Sequence, residues 1–194
     1  MSAVLAKAGS VLVAVSSMLS VAVAEPGLPP LTHGLTSIPT GQETPALRLP
    51  DLDDEEFDIR DLRGSVVVVN FWATWCPPCR REMPSLERLR QHMGGDGFTV
   101  VAVNIGEDAD TVFSFIGTVD PPPSFPLLLD QDAASLEGWG VKGLPTTYVV
   151  APDGLIAYRA VGGREFDHPR IIKQLRELRS ARPGGEKEPM HPAR

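Results

Sequence analysis

Residues 65–73 read SVVVVNFWA. Successive side chains of a strand point to opposite sides, so an apolar, β-branched run without alternation is a strand covered on both faces. Such a strand lies inside a sheet flanked by other layers, which restricts the chain to a layered α/β architecture. The next segment narrows this further. From Cys76 onward Met83, Leu86, Leu89 and Met93 recur at helical spacing, and GGDG at 94–97 ends the helix. A buried strand therefore hands over to an amphipathic helix, and both cysteines of the chain, Cys76 and Cys79, stand at that corner.

The alternation continues. FTVVAVNIG (98–106) reads as a second buried strand, and DADTVFSFIGTV (108–119) as a short helix stopped by Pro121, Pro122 and Pro123. FPLLLD (125–130) is a third strand and AASLEGWGV (133–141) a short helix. TTYVVAPDGLIAYRAVGG (146–163) is a β-hairpin turning at Asp153-Gly154. DHPRIIKQLRELR (167–179) closes the chain as an amphipathic helix with Ile171, Ile172, Leu175 and Leu178 inward, and PALRLPDLDDEEFDIRDLRG (45–64) reads as a hairpin around an acidic turn. This order predicts an α/β fold with a central mixed β-sheet flanked by helices.

The 194 residues suffice for one domain and some flanking sequence. At the N-terminus Lys7 precedes an apolar run from Val11 to Ala24, and Ala22-Val23-Ala24 places small residues before Glu25. That is the pattern of a cleaved signal peptide over 1–24, with an uncleaved membrane anchor as the alternative. Either places the domain in the periplasm or another extracytoplasmic space, where disulfides persist. Residues 25–43 are rich in proline, glycine and threonine and predict a flexible linker; 183–194 predict a disordered tail, leaving 44–182 as the domain. A net charge of −7 argues against a nucleic-acid partner.

Three uses of Cys76 and Cys79 compete. A staple across so short a loop removes little chain entropy, about 2 kcal/mol against nearly 5 for a loop of about 100 residues. A metal site would need ligands from His33, His92, His168 or His191, which are scattered along the chain with no third cysteine; a copper carrier is its most plausible form. Redox exchange needs one exposed sulfur, one shielded sulfur and a helix N-terminus. Residues i and i+3 of a helix have Cα atoms about 5 Å apart, within reach of a disulfide. The helix end favours a thiolate at Cys76, and Cys79 can attack back to release a partner. Pro77 and Pro78 fit the first helical turn. The spacing favours this third use.

The stretch VVVVNFWATWCPPCRREMPSL (66–86) closely resembles the thioredoxin superfamily, and within it the exported TlpA/ResA-like thiol-disulfide oxidoreductases. Trp72, Trp75 and Pro84 stand where that family's aromatics and helix proline stand, and GVKGLPTTYVVAPDG (140–154) resembles its second motif. The resemblance covers about Thr44 to Arg182. It implies a thioredoxin fold with an N-terminal hairpin at 46–60 and an inserted helix and strand at 108–130. It also implies roles: Cys76 as nucleophile, Cys79 as resolving thiol, and Pro145 in cis, packed against the disulfide. Leu144 is then left free to pair with a substrate strand. Beside Cys76, Trp75 either lines the substrate face or is part of the core, and Pro77 and Pro78 are candidate substrate contacts. Cytoplasmic thioredoxins carry a buried aspartate where this chain has Asn70; the TlpA/ResA-like branch carries a glutamate where this chain has Glu82. A buried Glu82 would be a proton acceptor for Cys79, whereas a solvated one would pair with Arg81 or Arg88.

The resemblance implies a reductant of protein disulfides or cysteine pairs, serving cytochrome c maturation or copper-site assembly and recharged by a membrane electron donor of the thiol-disulfide type. No metal and no cofactor is required beyond the redox-active disulfide Cys76–Cys79. A peroxiredoxin-like peroxidase remains an alternative, with Cys76 attacking peroxide beside Thr74, although a second cysteine three residues on is the wrong geometry for its usual resolving step.

Overall fold

The computed structural model describes residues 28–181. The leader expected at 1–24 and the tail expected at 183–194 lie outside them. The buried run becomes strand β4 (Val66–Trp72), every residue of which is buried. Its odd positions Val67, Val69 and Phe71 join one core with Val101, Val103, Trp139 and Tyr148. Its even positions Val66, Val68 and Trp72 join the other, with Met83, Leu86, Leu89, Ile171 and Leu175. The absence of alternation in sequence is thus a strand that packs on both sides.

Around it the strands are β1 (Thr36–Glu43), β2 (Arg48–Pro50), β3 (Glu56–Asp58), β5 (Phe98–Ile105), β6 (Leu127–Asp130), β7 (Thr146–Val150) and β8 (Leu155–Val161). The helices are α1 (Pro77–Met93), α2 (Ala109–Ile116), α3 (Ser135–Gly138) and α4 (Pro169–Ser180). Six strands form one sheet in the order β1-β8-β7-β4-β5-β6. β4, β5 and β6 run parallel, and β7 runs antiparallel to β4 and β8. This is the thioredoxin fold that the resemblance implies. The hairpin β2–β3 and the insertion α2–β6 stand where the resemblance puts them.

One expectation fails. Residues 25–43 do not form a linker throughout, because Thr36–Glu43 are an edge strand antiparallel to β8, with Thr36 opposite Arg159 and Glu43 opposite Leu155. Pro39 and Gly41 hide the strand from a pattern reading, and the register shifts between Ser37 and Gln42. Proline is tolerated at a sheet edge and at such an irregularity, where the ladder lacks one partner anyway. Residues 28–35, also read as linker, run on from this strand over the domain, and Thr32 bridges Arg164.

Helix α1 begins at the cysteines because Cys76 is its N-cap and Pro77 and Pro78 fill its first two positions, where no amide donor is needed. Its inward face carries Cys79, Glu82, Met83, Leu86, Leu89 and Met93, so one charged side chain is carried into the apolar stripe. Among the described residues no helix is long and apolar enough to cross a membrane.

Candidate active site

Cys76 and Cys79 form a disulfide with Cα atoms 5.3 Å apart. Cys76 is extended at φ −88°, ψ 107°, its N–H donates to Ala73 O, and its carbonyl accepts from Arg80 N, the first bond of the helix. Cys79 is fully buried. Cys76 is only 4% exposed, so in the oxidised form the outer sulfur is far less open than expected. It lies in the core cluster with Trp72 and Ala73, against which Leu144 also packs. Trp75 instead stands 67% exposed, at the surface rather than in the core.

The loop before the cysteines is held by a carboxylate. Glu107 accepts from Thr74 N at 2.8 Å, from the Thr74 hydroxyl, and from Asn104 Nδ2 at 2.6 Å. Across the site the Leu144–Pro145 peptide is cis. Gly162 N donates to Pro145 O at 2.8 Å, and Thr146 Oγ1 to Gly143 O. Leu144 enters no backbone–backbone hydrogen bond among the described residues.

Glu82 lies one turn beyond Cys79 and is wholly buried. Neither Arg81 nor Arg88 pairs with it. Arg81 donates to Pro29 O, and Arg88 pairs with Asp167 at 2.6 Å. Oε1 instead accepts from Asn70 Nδ2 at 2.8 Å, and Oε2 from the backbone N–H of Arg164 at 2.8 Å. Asn70 Nδ2 also donates to Thr147 Oγ1. The Arg164 guanidinium is occupied by the carbonyls of Gly34, Gly162 and Gly163. Burial therefore dominates: it pushes the Glu82 carboxyl up to about 8, against the opposing pull of the Arg164 N–H, the Asn70 amide and the Arg164 charge. A carboxyl of this kind exchanges a proton near neutral pH, as an acid or base for a nearby thiol must.

Asn70, Thr147, Arg164 and Glu107 are the site residues that sequence reasoning left without a role. Asn70 carried a signal, as the one amide in an otherwise apolar strand. Arg164 carried none, because it acts through its backbone from 82 positions away. Elsewhere, Trp139 is buried and donates from its indole to Ala46 O, as a packing residue. Arg80 lies over the ring of Phe115. His33 and His168 stack on each other with ring centroids 4.1 Å apart. Among the described residues no three His, Cys, Asp or Glu side chains stand close enough to share an ion.

A helix-capping disulfide, a cis-proline beside the cysteine loop and a buried carboxyl behind the inner sulfur define a thioredoxin-fold protein of the thiol-disulfide exchange class. Comparison with known proteins carries this further. The Redoxin family model matches residues 39–175. The thiol-disulfide oxidoreductase ResA of Bacillus subtilis is 35% identical over 129 residues, covering 66% of this chain and 71% of that protein. The thioredoxin-like protein YneN of the same organism is 38% identical over 128 residues, covering 64% and 73%. A solved thiol:disulfide interchange protein of the thioredoxin family from Chlorobium tepidum TLS superposes with a TM-score of 0.60 at 28% identity, covering 72% of this chain and 99% of that one. The chain belongs to the Redoxin family, and it is a ResA-like thiol-disulfide oxidoreductase.

Proposed function

We propose that this protein is a dithiol reductant of protein disulfides outside the cytoplasm. The observation that carries the reading is the Cys76–Cys79 bridge at the start of α1 with the buried Glu82 carboxyl one turn behind it. In the reduced protein the Cys76 thiolate attacks one sulfur of a partner disulfide, forming a mixed disulfide and expelling the first partner thiolate. In the fraction of molecules whose Glu82 carboxyl is ionised, Cys79 gives its proton to that carboxylate and attacks the Cys76 sulfur. The second partner thiolate leaves, Cys76–Cys79 is oxidised, and two electrons have passed to the partner. Trp75, Pro77 and Pro78 border the approach, and the free peptide of Leu144 beside Pro145 aligns the incoming strand.

Pro77 and Pro78 supply no amide donors to the Cys76 thiolate. The reduced form is less stabilised for that reason, which favours the reducing direction. The leader pattern supports export, and the likeness to ResA supports cysteine pairs of exported proteins as clients. These include haem-attachment cysteines of apocytochrome c or a copper-site assembly factor, with recharging by a membrane thiol-disulfide donor. The test is a redox titration of the Cys76–Cys79 couple together with trapping by Cys79→Ser. We expect a low potential, turnover of insulin disulfides, and a stable mixed disulfide through Cys76 in the variant. A strongly oxidising potential would reverse the direction assigned. Peroxide turnover without disulfide exchange would move the chain to the peroxidase class.

A further inference from the structure

The segment before the first strand, expected to be linker, is tied to the active site from outside. Thr32 N donates to Gly163 O at 3.2 Å and Thr32 O accepts from Glu165 N at 3.0 Å, a parallel bridge around Arg164. Arg164 Nε donates to Gly34 O, and Arg81, in the second turn of α1, donates to Pro29 O, both at 2.8 Å. Between these ties Leu31 lies on Gly163. A Cβ at Gly163 would stand 2.6 Å from Leu31 Cδ2 and 3.4 Å from Pro78 Cβ. Gly163 is therefore sandwiched between this segment and the Cys-Pro-Pro-Cys turn, where a Cβ would force the Leu31 side chain to move.

Two elements meet at that seam, and both hold Glu82. Helix α1 carries it, and the segment 163–165 supplies Arg164 N–H, one of its two donors. Residues 29–34 cross the seam and bond to both sides. Behind it the segment has further holds on α1: Ser85 Oγ accepts from Phe166 N at 3.0 Å and donates to Arg164 O at 3.4 Å, and Arg88 pairs with Glu165 and Asp167.

We infer that residues 29–34 are a positioning strap of the active site: by clamping 163–165 to the start of α1, they keep the Arg164 donor on Glu82 and close the seam through which water would reach that carboxyl. The inference rests on the proton-acceptor reading of Glu82 for its use in catalysis, but not for its geometry. The strap makes the stretch leading in from the N-terminus part of the redox machinery, so a pull or a partner acting there changes the pH at which the inner thiol gives up its proton.

The charged and titratable groups around the seam are Arg81 and Arg88 on α1, Arg164, Glu165, Asp167 and His168 on the following segment, and His33 on the strap. None of these is wholly buried, whereas Glu82 is. The test uses the full chain with Thr32→Pro, which removes the donor to Gly163, and separately Arg81→Met, which frees Pro29 without touching 163–165. The titration of the Glu82 side-chain carbon is followed by NMR, and amide exchange at Arg164 and Glu165 reports release of the strap. We expect faster exchange at both amides and a Glu82 midpoint lower by about one pH unit or more, because regained hydration, relieving the largest cause of the upward shift, outweighs the loss of the Arg164 donor. Faster exchange with an unmoved midpoint would reduce the strap to a structural brace. Unchanged exchange in both variants would show that these ties hold nothing. Either result overturns the inference. The catalytic reading is tested apart from this: Glu82→Gln must remove the corresponding bend in the pH profile of the Cys76–Cys79 potential, and its persistence would sink that reading while leaving the NMR result to decide the strap.

Discussion

Helix α1 buries two carboxylates, Glu82 and Glu87, five residues apart, and their surroundings drive them in opposite directions. Glu82 faces the sheet, and its donors are an amide side chain and a backbone N–H, both neutral. Burial wins there, and the carboxyl is pushed up to about 8. Glu87 lies rotated round the helix toward the loop after the inserted helix. Burial pushes it upward too, but Arg90, Ser124 N–H, Gln91 and the Ser124 hydroxyl outweigh that and hold it below its ordinary range. The reason is partly in the helix period. Glu87 has Arg90 at i+3 and Gln91 at i+4, while the same positions from Glu82 hold Ser85 and Leu86. Burial alone does not set where a carboxyl titrates; the donors and charges that meet it do, and at Glu82 they are too weak to offset burial. Glu87 fastens the loop at Ser124, and Glu82 is left able to trade a proton.

The contrast can be broken or sharpened by experiment. The largest effect concerns pH and stability. The native value for Glu82 lies above the unfolded one, so the folded state holds a proton that the unfolded state has lost. Its contribution is undiminished below the ordinary carboxylate range and declines as pH rises toward about 8. Denaturant titration of the oxidised protein from pH 5 to 9 is expected to show stability falling by up to about 1.4 kcal/mol per pH unit across that window. Glu82→Gln should flatten this slope, and an equally steep slope in the variant would refute the assignment. Next comes catalysis. Glu82→Gln should slow insulin reduction at neutral pH by roughly a hundredfold, the lower range for loss of a positioned acid–base group, whereas Glu87→Gln leaves the rate within about twofold. Equal losses in both would erase the distinction. Third, Glu87→Gln should lower stability by about 2 kcal/mol through its charge-assisted bonds to Arg90 and Ser124. Because Glu87 is held low, that contribution is present above the ordinary carboxylate range and fades as acid protonates it, so wild type and variant should converge at low pH. The smallest effect is Ser124→Ala, about 1 kcal/mol for one hydroxyl bond, with unchanged redox kinetics.

Much of this was legible in the chain. The β-branched run at 66–69, the helical spacing after Cys76 and the Asp153-Gly154 turn place the central strand, the cysteine helix and the hairpin where they are found. The cysteine pair, Pro145 and Glu82 were singled out, and the fold brings them to one end of β4 and α1. The edge strand Thr36–Glu43 was not legible, because Pro39 and Gly41 break its pattern and its partner β8 lies more than a hundred residues on. The covering of Cys76 is not legible for a similar reason: the core cluster it joins draws on side chains distant in sequence.

Local chemistry was settled by the order of residues: two sulfurs one turn apart at a helix start, prolines in the turn, and a carboxyl one turn deeper. These follow from helix geometry, which acts over a few residues. Whether that carboxyl is reactive was decided by the tertiary structure, because the donors that reach it come from Asn70 and Arg164 and the strap that covers the seam comes from residues 29–34. Solvation and hydrogen bonding depend on which groups the fold brings together, and sequence distance does not encode that.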